Sequence, residues 1–240
     1  MKKFFTFFMC AAVLCSCASG KYSGKGRVDS IAFPEGIHAV EVSGAISVTA
    51  SADAEEMTVS GDSLALENFI YSFSEGTLSL GRKTNVFKEV GSKEGGRISV
   101  VIPQTSKLSS VTVSGASRFV AEQPMTAEKI SVKLSGASKV KAEIQAGVLS
   151  ARVTGASSAL LCGKAGEVSY SVSGASQVSS SDAYVSAGNA KMEVSGASSV
   201  KLGSEGRLTG SVSGASRLIC YGDCVSELQV TGASTAKTGR

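Results

Sequence analysis

The sequence predicts an all-β protein: a right-handed parallel β-helix, a solenoid of ~19-residue coils, closed at one end by an irregular N-terminal β cap. Three observations lead there. The triplet Gly-Ala-Ser starts at Gly115, Gly136, Gly155, Gly174, Gly196, Gly214 and Gly232, at spacings of 21, 19, 19, 22, 18 and 18 residues. Two residues before each glycine stands an aliphatic residue: Val113, Leu134, Val153, Val172, Val194, Val212 and Val230. Four after it come Phe119, Val140, Ala159, Val178, Val200, Leu218 and Ala236. Apolar and polar residues alternate on both sides of the triplet, which is the period of a strand, and no repeat carries apolar residues at helical spacing.

The triplet reads as a corner. Glycine turns one strand into the next through backbone angles closed to other residues. Alanine suits a crowded bend where coils stack at ~4.8 Å. Serine can hydrogen-bond within its own coil or along the stack. A coil offers about four inward apolar side chains, worth roughly 6–12 kcal/mol, against a backbone ordering cost of about 1–2 kcal/mol per residue. A coil therefore needs neighbours above and below it. The crossover preference makes right-handed the default. Spacings of 21 and 22 argue against a left-handed hexapeptide helix, which would need coils of 18 without drift.

The chain before Gly115 is less regular. Residues 39–51, "AVEVSGAISVTAS", carry a variant corner at Ser43-Gly44-Ala45-Ile46. Residues 55–81 read as a strand, a short helical turn near Ser63–Glu67 and a hairpin about Glu75-Gly76, and residues 85–103 as a charged loop leading into a strand. This section holds most of the aromatics and is expected to cap the stack. At the other end, Thr235 to Arg240 is polar and is expected to leave little core exposed.

The first residues form a targeting signal. Lys2 and Lys3 precede an apolar run from Phe4 to Cys15, too short for a bilayer, which takes roughly 20 residues, and laid out like a secretory signal. Leu14-Cys15-Ser16-Cys17 resembles the lipobox of bacterial lipoproteins. That resemblance implies a signal peptide over 1–16 and an acylated N-terminal Cys17; an ordinary signal peptide, or a short membrane anchor with a stray cysteine, is the alternative. Acyl chains at one residue anchor durably, at ~0.8 kcal/mol per buried CH₂. Residues 17–30 then form a lipidated flexible tether, rich in Gly, Ser and Lys from residue 18 onward, and 31–240 the folded domain, divided into an N-terminal part over 31–110 and the repeats over 111–240.

Composition sets outer limits. Of 240 residues, 42% are hydrophobic and 6% aromatic, with 27 glycines, 3 prolines and no tryptophan. The core is therefore built of Val, Ala, Leu and Ile. Net charge is +4, and loss of Lys2 and Lys3 leaves +2, too balanced for an obligate nucleic-acid binder. Cys162, Cys220 and Cys224 remain in the mature body. With the lone His38 they make no zinc set of sensible spacing, and no metal or cofactor is expected. Cys220 and Cys224 have room for a local disulfide across a turn; buried thiols are the alternative.

With these pieces in place, residues 31–240 resemble the head GIN domain family of proposed auto-transporter adhesins. The resemblance is carried by "GIHAVEVSGAISV", "TVSGDSLALENFI", "GTLSL" and the Val-Ser-Gly-Ala-Ser series. It implies a pectin-lyase-like right-handed β-helix and a role in adhesion, and it brings no catalytic residues.

The residues themselves argue against an enzyme. Polysaccharide-active β-helices need clustered carboxylates on one face, whereas the outward columns here are mostly Ser, Lys, Gln and Thr. Asp182 and Asp223 fall two coils apart, and His38 lies far from the repeats. One surface pattern stands out. Three and five residues past the corner glycines lie Arg118, Lys139, Lys141, Lys201, Arg217 and Lys237, with no Asp or Glu at those positions in any of the seven coils. Stacking would gather them into a sparse cationic stripe, interrupted at the Gly155 and Gly174 coils. It reads as a track for an acidic glycan or anionic headgroup, or as a solvated face with Glu122, Glu143 and Glu193 nearby.

Two functions from different classes follow. One is a non-catalytic envelope lipoprotein, anchored in the outer membrane through Cys17, that binds glycan or surface protein along a β face. The other is a structural envelope protein assembling through its solenoid.

Overall fold

The computed structural model describes residues 27–83, 96–179 and 183–239. The expected signal peptide over 1–16, Cys17, most of the expected tether, residues 84–95, which hold the start of the expected charged loop, and Asp182 lie outside the described residues. The tether reading needs one correction: Arg27–Ile31 is a strand, paired antiparallel with Met57–Gly61.

Strands make up 63% of the structure, wound into a β-solenoid of about seven turns. Each full coil carries two ladders. One runs up the solenoid through the segments after the corners, and the other through the segments before them. Both ladders pair parallel: Lys139 sits on Arg118 and under Ser158, and Leu149 sits on Ile130 and under Val168. In two coils the ladders join into single fifteen-residue strands, Lys139–Val153 and Ser158–Val172.

The corners show why the triplet is Gly-Ala-Ser. In the successive corners the glycine has φ between +74° and +82°, the left-handed region. Its carbonyl accepts the alanine N–H of the next coil, at 2.7 Å for Ala156 to Gly136 and 2.8 Å for Ala175 to Gly155. A Cβ on Gly155 or Gly174 would fall 2.4 Å from the carbonyl oxygen of the coil below. The crowding thus sits at the glycine. The alanine side chain is exposed, contrary to the expectation that it fills a tight bend, and its N–H does the stacking.

Serine completes the corner from inside. Ser138, Ser176 and Ser198 are buried, and each hydroxyl faces two carbonyls. The Ser176 Oγ is 2.8 Å from the Ser173 oxygen in its own coil and 3.2 Å from the Gly155 oxygen below. Both bonding modes expected from the sequence are present.

Inside the coil, Val140, Ala142, Ile144, Leu149, Ala151 and Val153 point inward and are buried. Inward columns mix sizes to fill the space: Val132, Ala151, Tyr170 and Met192 stack in register. The Tyr170 hydroxyl is buried there without a hydrogen-bond partner.

A second glycine column, absent from the sequence reading, forms the opposite bend. Gly147, Gly166, Gly188 and Gly206 stand eight residues before consecutive triplets. A Cβ on Gly166 or Gly188 would sit 2.8 Å from the carbonyl oxygen beneath it. The coils of 21 and 22 residues keep both bends: the first places its extra residues outside the ladders at 122–124, and in the second the ladder pairing stops at Val178 and resumes at Val185.

The cap is present, but chain order and spatial order differ. The Ala39–Val42 strand pairs with Thr77–Arg82 on one side and Ser110–Val113 on the other. Ile46–Ser51 likewise lies between Ile98–Pro103 and Arg118–Ala121. The outermost described rungs are therefore Thr77–Arg82 and Ile98–Pro103. They are covered by Phe69–Ser74, antiparallel through the Glu75-Gly76 hairpin, and by Met57–Gly61. The expected helix spans Ser63–Glu67, with the Asp62 carboxylate accepting the Ala65 N–H at 2.8 Å. At the far end, the expectation of little exposed core fails: Val225 and Val230 on the last long strand are 64% and 43% exposed.

Two substitutions test these assignments. Gly174→Ala should lower the unfolding free energy by about 2–4 kcal/mol, combining left-handed strain and overpacking, in urea titrations. Tyr170→Phe should raise it by about 1–2 kcal/mol by removing an unpaired buried hydroxyl.

Candidate ligand-binding face

The expected cations fall into two columns on the ladder after the corner. The column next to the corner runs Ser47, Arg118, Lys139, Ser158, Gln177, Ser199, Arg217 and Thr235, rung by rung. The second holds Lys141 level with Val120 and Leu160, and Lys201 level with Ile219 and Lys237. The solenoid therefore sorts the six residues into a group of Arg118, Lys139 and Lys141 and a group of Lys201, Arg217 and Lys237. Serine and glutamine rungs separate them, as the interruption at the Gly155 and Gly174 coils predicts. Every cation is exposed except Lys201, which is half-buried.

Alternation aims these side chains outward: Val140 and Leu218, one residue beyond Lys139 and Arg217, point into the core. The corner-side column holds no carboxylate. Glu143 stands near Lys141, and the two act in opposite directions on the Cys162 thiol, which burial and Glu143 together raise above its ordinary pKa. On the other ladder, Lys191 pairs with Glu193 at 3.8 Å and Arg207 with Glu227 at 3.6 Å.

The first group opens onto a cleft of about 450 Å³ whose basic character the sequence did not reveal. Arg82, at the end of Thr77–Arg82, and Arg97, just before Ile98–Pro103, join Arg118 and Lys139 in its wall, with Ala45, Ala116 and Ala137 among the remaining lining. Arg82 stands where the coil below Gly44 has no triplet of its own. Its Nη2 donates to the carbonyls of Ala45 and Gly96, while its Nε is buried without a partner among the described residues. Arg82 and Arg97 follow no corner glycine at the repeat's offset, so the sequence alignment that found the stripe passes over them.

Cys220 and Cys224 are free thiols in this structure, their sulfurs 3.4 Å apart. Burial pushes Cys220 up to about 12, and the contact with Cys224 adds to the shift. His38 is exposed, as expected of a surface residue. Among the described residues no group of three or more metal-ligating side chains occurs, and no helix is long and apolar enough to cross a membrane.

A family profile described as "Putative auto-transporter adhesin, head GIN domain" matches residues 37–224. The chain belongs to the head GIN domain family. Solved structures repeat the fold of this head GIN domain at low identity. A protein of Bacteroides fragilis titled a putative adhesin is 16% identical, with a TM-score of 0.72 and coverage of 90% of this chain and 98% of its own. A putative adhesin of Parabacteroides distasonis is 14% identical, with a TM-score of 0.64 and coverage of 90% and 97%. A second P. distasonis protein, titled a putative lipid binding protein, is 14% identical, with a TM-score of 0.60 and the same coverage of 90% and 97%. No curated protein matches the chain. At these identities the likeness shows a shared fold.

The buried thiol of this head GIN domain sets an alkaline response. Folded Cys220 keeps its proton to about 12, whereas an ordinary thiol loses it near 9.0. Between those values the unfolded chain binds fewer protons, so the reduced protein loses stability as pH rises, by up to about 1.4 kcal/mol per pH unit from this group. Urea midpoints of the reduced protein should fall from pH 9 upward, with a shallower slope in Cys220→Ala; equal slopes would contradict the assignment.

Proposed function

We propose that the chain is an exported, non-catalytic binding module of the cell envelope, held to the outer membrane by acyl chains on Cys17, that presents the corner-side ladder of its solenoid to glycan or surface-protein ligands. The observation that carries this reading is the rigid, acid-free column of Arg118, Lys139 and Arg217 with serine and glutamine rungs between. A solenoid fixes such side chains at a constant rise of ~4.8 Å over many rungs, which suits an extended ligand. The adhesin family and the layout of residues 1–17 support export and attachment.

The non-catalytic reading has its own support. The triplet serines, the most repeated hydroxyls in the chain, are committed to corner hydrogen bonds and buried in six of the seven corners. Among the described residues the basic cleft is lined by arginine, lysine and small residues, with no carboxylate, thiol or imidazole.

Export also gives the cysteine pair a role. In an oxidising envelope, Cys220 and Cys224 would pass two electrons and two protons to an exported disulfide oxidase and join as Sγ–Sγ, closing the bend between Arg217–Tyr221 and Val225–Val230 within one coil. Mass spectrometry of the native protein should then show two hydrogens fewer than the reduced chain.

A second reading, structural assembly through the solenoid, rests on the last rung. Among the described residues Val225–Val230 pairs with the strand below it and no other, and it exposes Val225 and Val230, an open edge of the kind that recruits further strands. Sedimentation across a concentration range distinguishes the two: a monomer that retains ligands on glycan and protein arrays fits the binding module, and concentration-dependent fibres or stacks fit assembly. For the anchor, Cys17→Ala should abolish incorporation of a palmitate analogue and move the protein from the membrane to the soluble fraction. Unchanged labelling would refute it.

A further inference from the structure

We propose that the basic cleft is an anion-recognition site for the carboxylate or sulfate groups of a linear acidic polysaccharide, and that the same polymer runs along the corner-side column to the second cationic group. This rests on the binding-module reading and gives it a ligand class and an address.

The cleft gathers charge from separate parts of the chain. Arg97 comes from just before the outermost rung Ile98–Pro103, while Arg118 and Lys139 follow the Gly115 and Gly136 corners, one rung apart. None of the three is held in an ion pair with a described residue. The Asp62 carboxylate lies beside Gly96 but is committed to the helix cap through the Ala65 N–H. Arg82 is the positioning residue: its guanidinium ties Ala45 to Gly96 across the cleft floor, and its buried Nε has no partner among the described residues. Four cations with no carboxylate among the described lining residues, and Asp62 as the one described acid beside them, leave a net positive hollow whose complement is an anion.

The column supplies the rest of the site. From Lys139 to Arg217 is four rungs, through Ser158, Gln177 and Ser199, which is roughly 19 Å at the strand spacing. Hydroxyl and amide groups on those rungs can exchange hydrogen bonds with sugar hydroxyls. Cations recur at the far end as Lys201, Arg217 and Lys237. Two charged ends joined by a neutral polar track suit one flexible polyanion that engages both, the second contact gaining from the first.

Other anionic macromolecules fit less well. Single-stranded nucleic acid needs stacking platforms, and the corner-side column contains no aromatic residue. A bilayer needs apolar side chains beside the cations, and Leu160 is the one large apolar residue on these two columns that is exposed, at 38%.

The test uses the purified full chain in affinity electrophoresis through gels containing polygalacturonate, dextran sulfate or neutral dextran, with phosphatidylglycerol vesicles in a parallel flotation assay. Retardation is expected in the two acidic gels, lost as salt rises, with none in neutral dextran. R118E/K139E and R217E/K237E should each weaken retention at least about tenfold, with R118Q/K139Q shifting it in the same direction. Melting curves confirm that the variants are folded. Retention unchanged by both reversals overturns the site; if those variants still bind on arrays, the binding-module reading survives it. A wild-type chain that binds neither acidic polymer nor any arrayed ligand removes both. Capture by vesicles in place of the acidic gels also overturns the proposal.

Discussion

One contact governs this architecture: from Gly115 to Gly196 the carbonyl of the corner glycine accepts the alanine N–H of the coil stacked on it. For that contact to form at 2.7–2.8 Å, no Cβ can stand on the glycine above, and the backbone must turn through the left-handed region. Both demands select glycine. Serine then becomes nearly obligatory two residues on, because the corner draws a side chain inward where backbone carbonyls converge, and a short hydroxyl satisfies them without filling the core. The alanine is tied to neither demand. Its methyl group faces solvent, so a small residue suffices there.

The same constraint orders the rest of the molecule. Corners in register force both ladders into parallel register, which pins Val, Leu and Ile to inward columns and Ser, Lys and Gln to outward ones. Extra residues in the long coils are pushed out of the ladders. At the beginning of the column, where no triplet lies below Gly44, Arg82 takes over: its backbone and side chain pack against Gly44, and its guanidinium holds the Ala45 carbonyl. The basic cleft thus arises where the repeat begins, and its chemistry is partly a by-product of finishing the corner stack.

How much of this could be read from the chain depends on how local each signal was. The corner, the inward columns, the Ser63–Glu67 helix and the Glu75-Gly76 hairpin each lie within one short segment, and all are where the sequence puts them. The second glycine column was equally periodic. Its glycines have dissimilar neighbours, Ala-Gly-Val, Ala-Gly-Glu, Ala-Gly-Asn and Glu-Gly-Arg, and were hidden beside the louder triplet. The insertion of Ala39–Val42 and Ile46–Ser51 between Thr77–Arg82 and Ile98–Pro103 on one side and Ser110–Val113 and Arg118–Ala121 on the other has no local signature, because a strand's partner is a global choice. Arg82 and Arg97 joined the cationic group for the same reason. Alanine's place in the corner was misread because crowding was assigned to the wrong residue of the triplet.

Ligand binding by the proposed face is then a question about a surface with fixed spacing. Side chains on a solenoid ladder are held at regular intervals by a scaffold that does not need to move, so specificity lies in which residues occupy which rungs. The scaffold itself is most directly tested by amide hydrogen exchange at Ala156, Ala175 and Ala197. Their side chains are exposed, yet each N–H is bonded to the glycine of the preceding coil. These amides should exchange as slowly as those of Ser173 and Gln177 in the adjoining ladders. Exchange at the rate of an unstructured peptide would show that the corners do not stack.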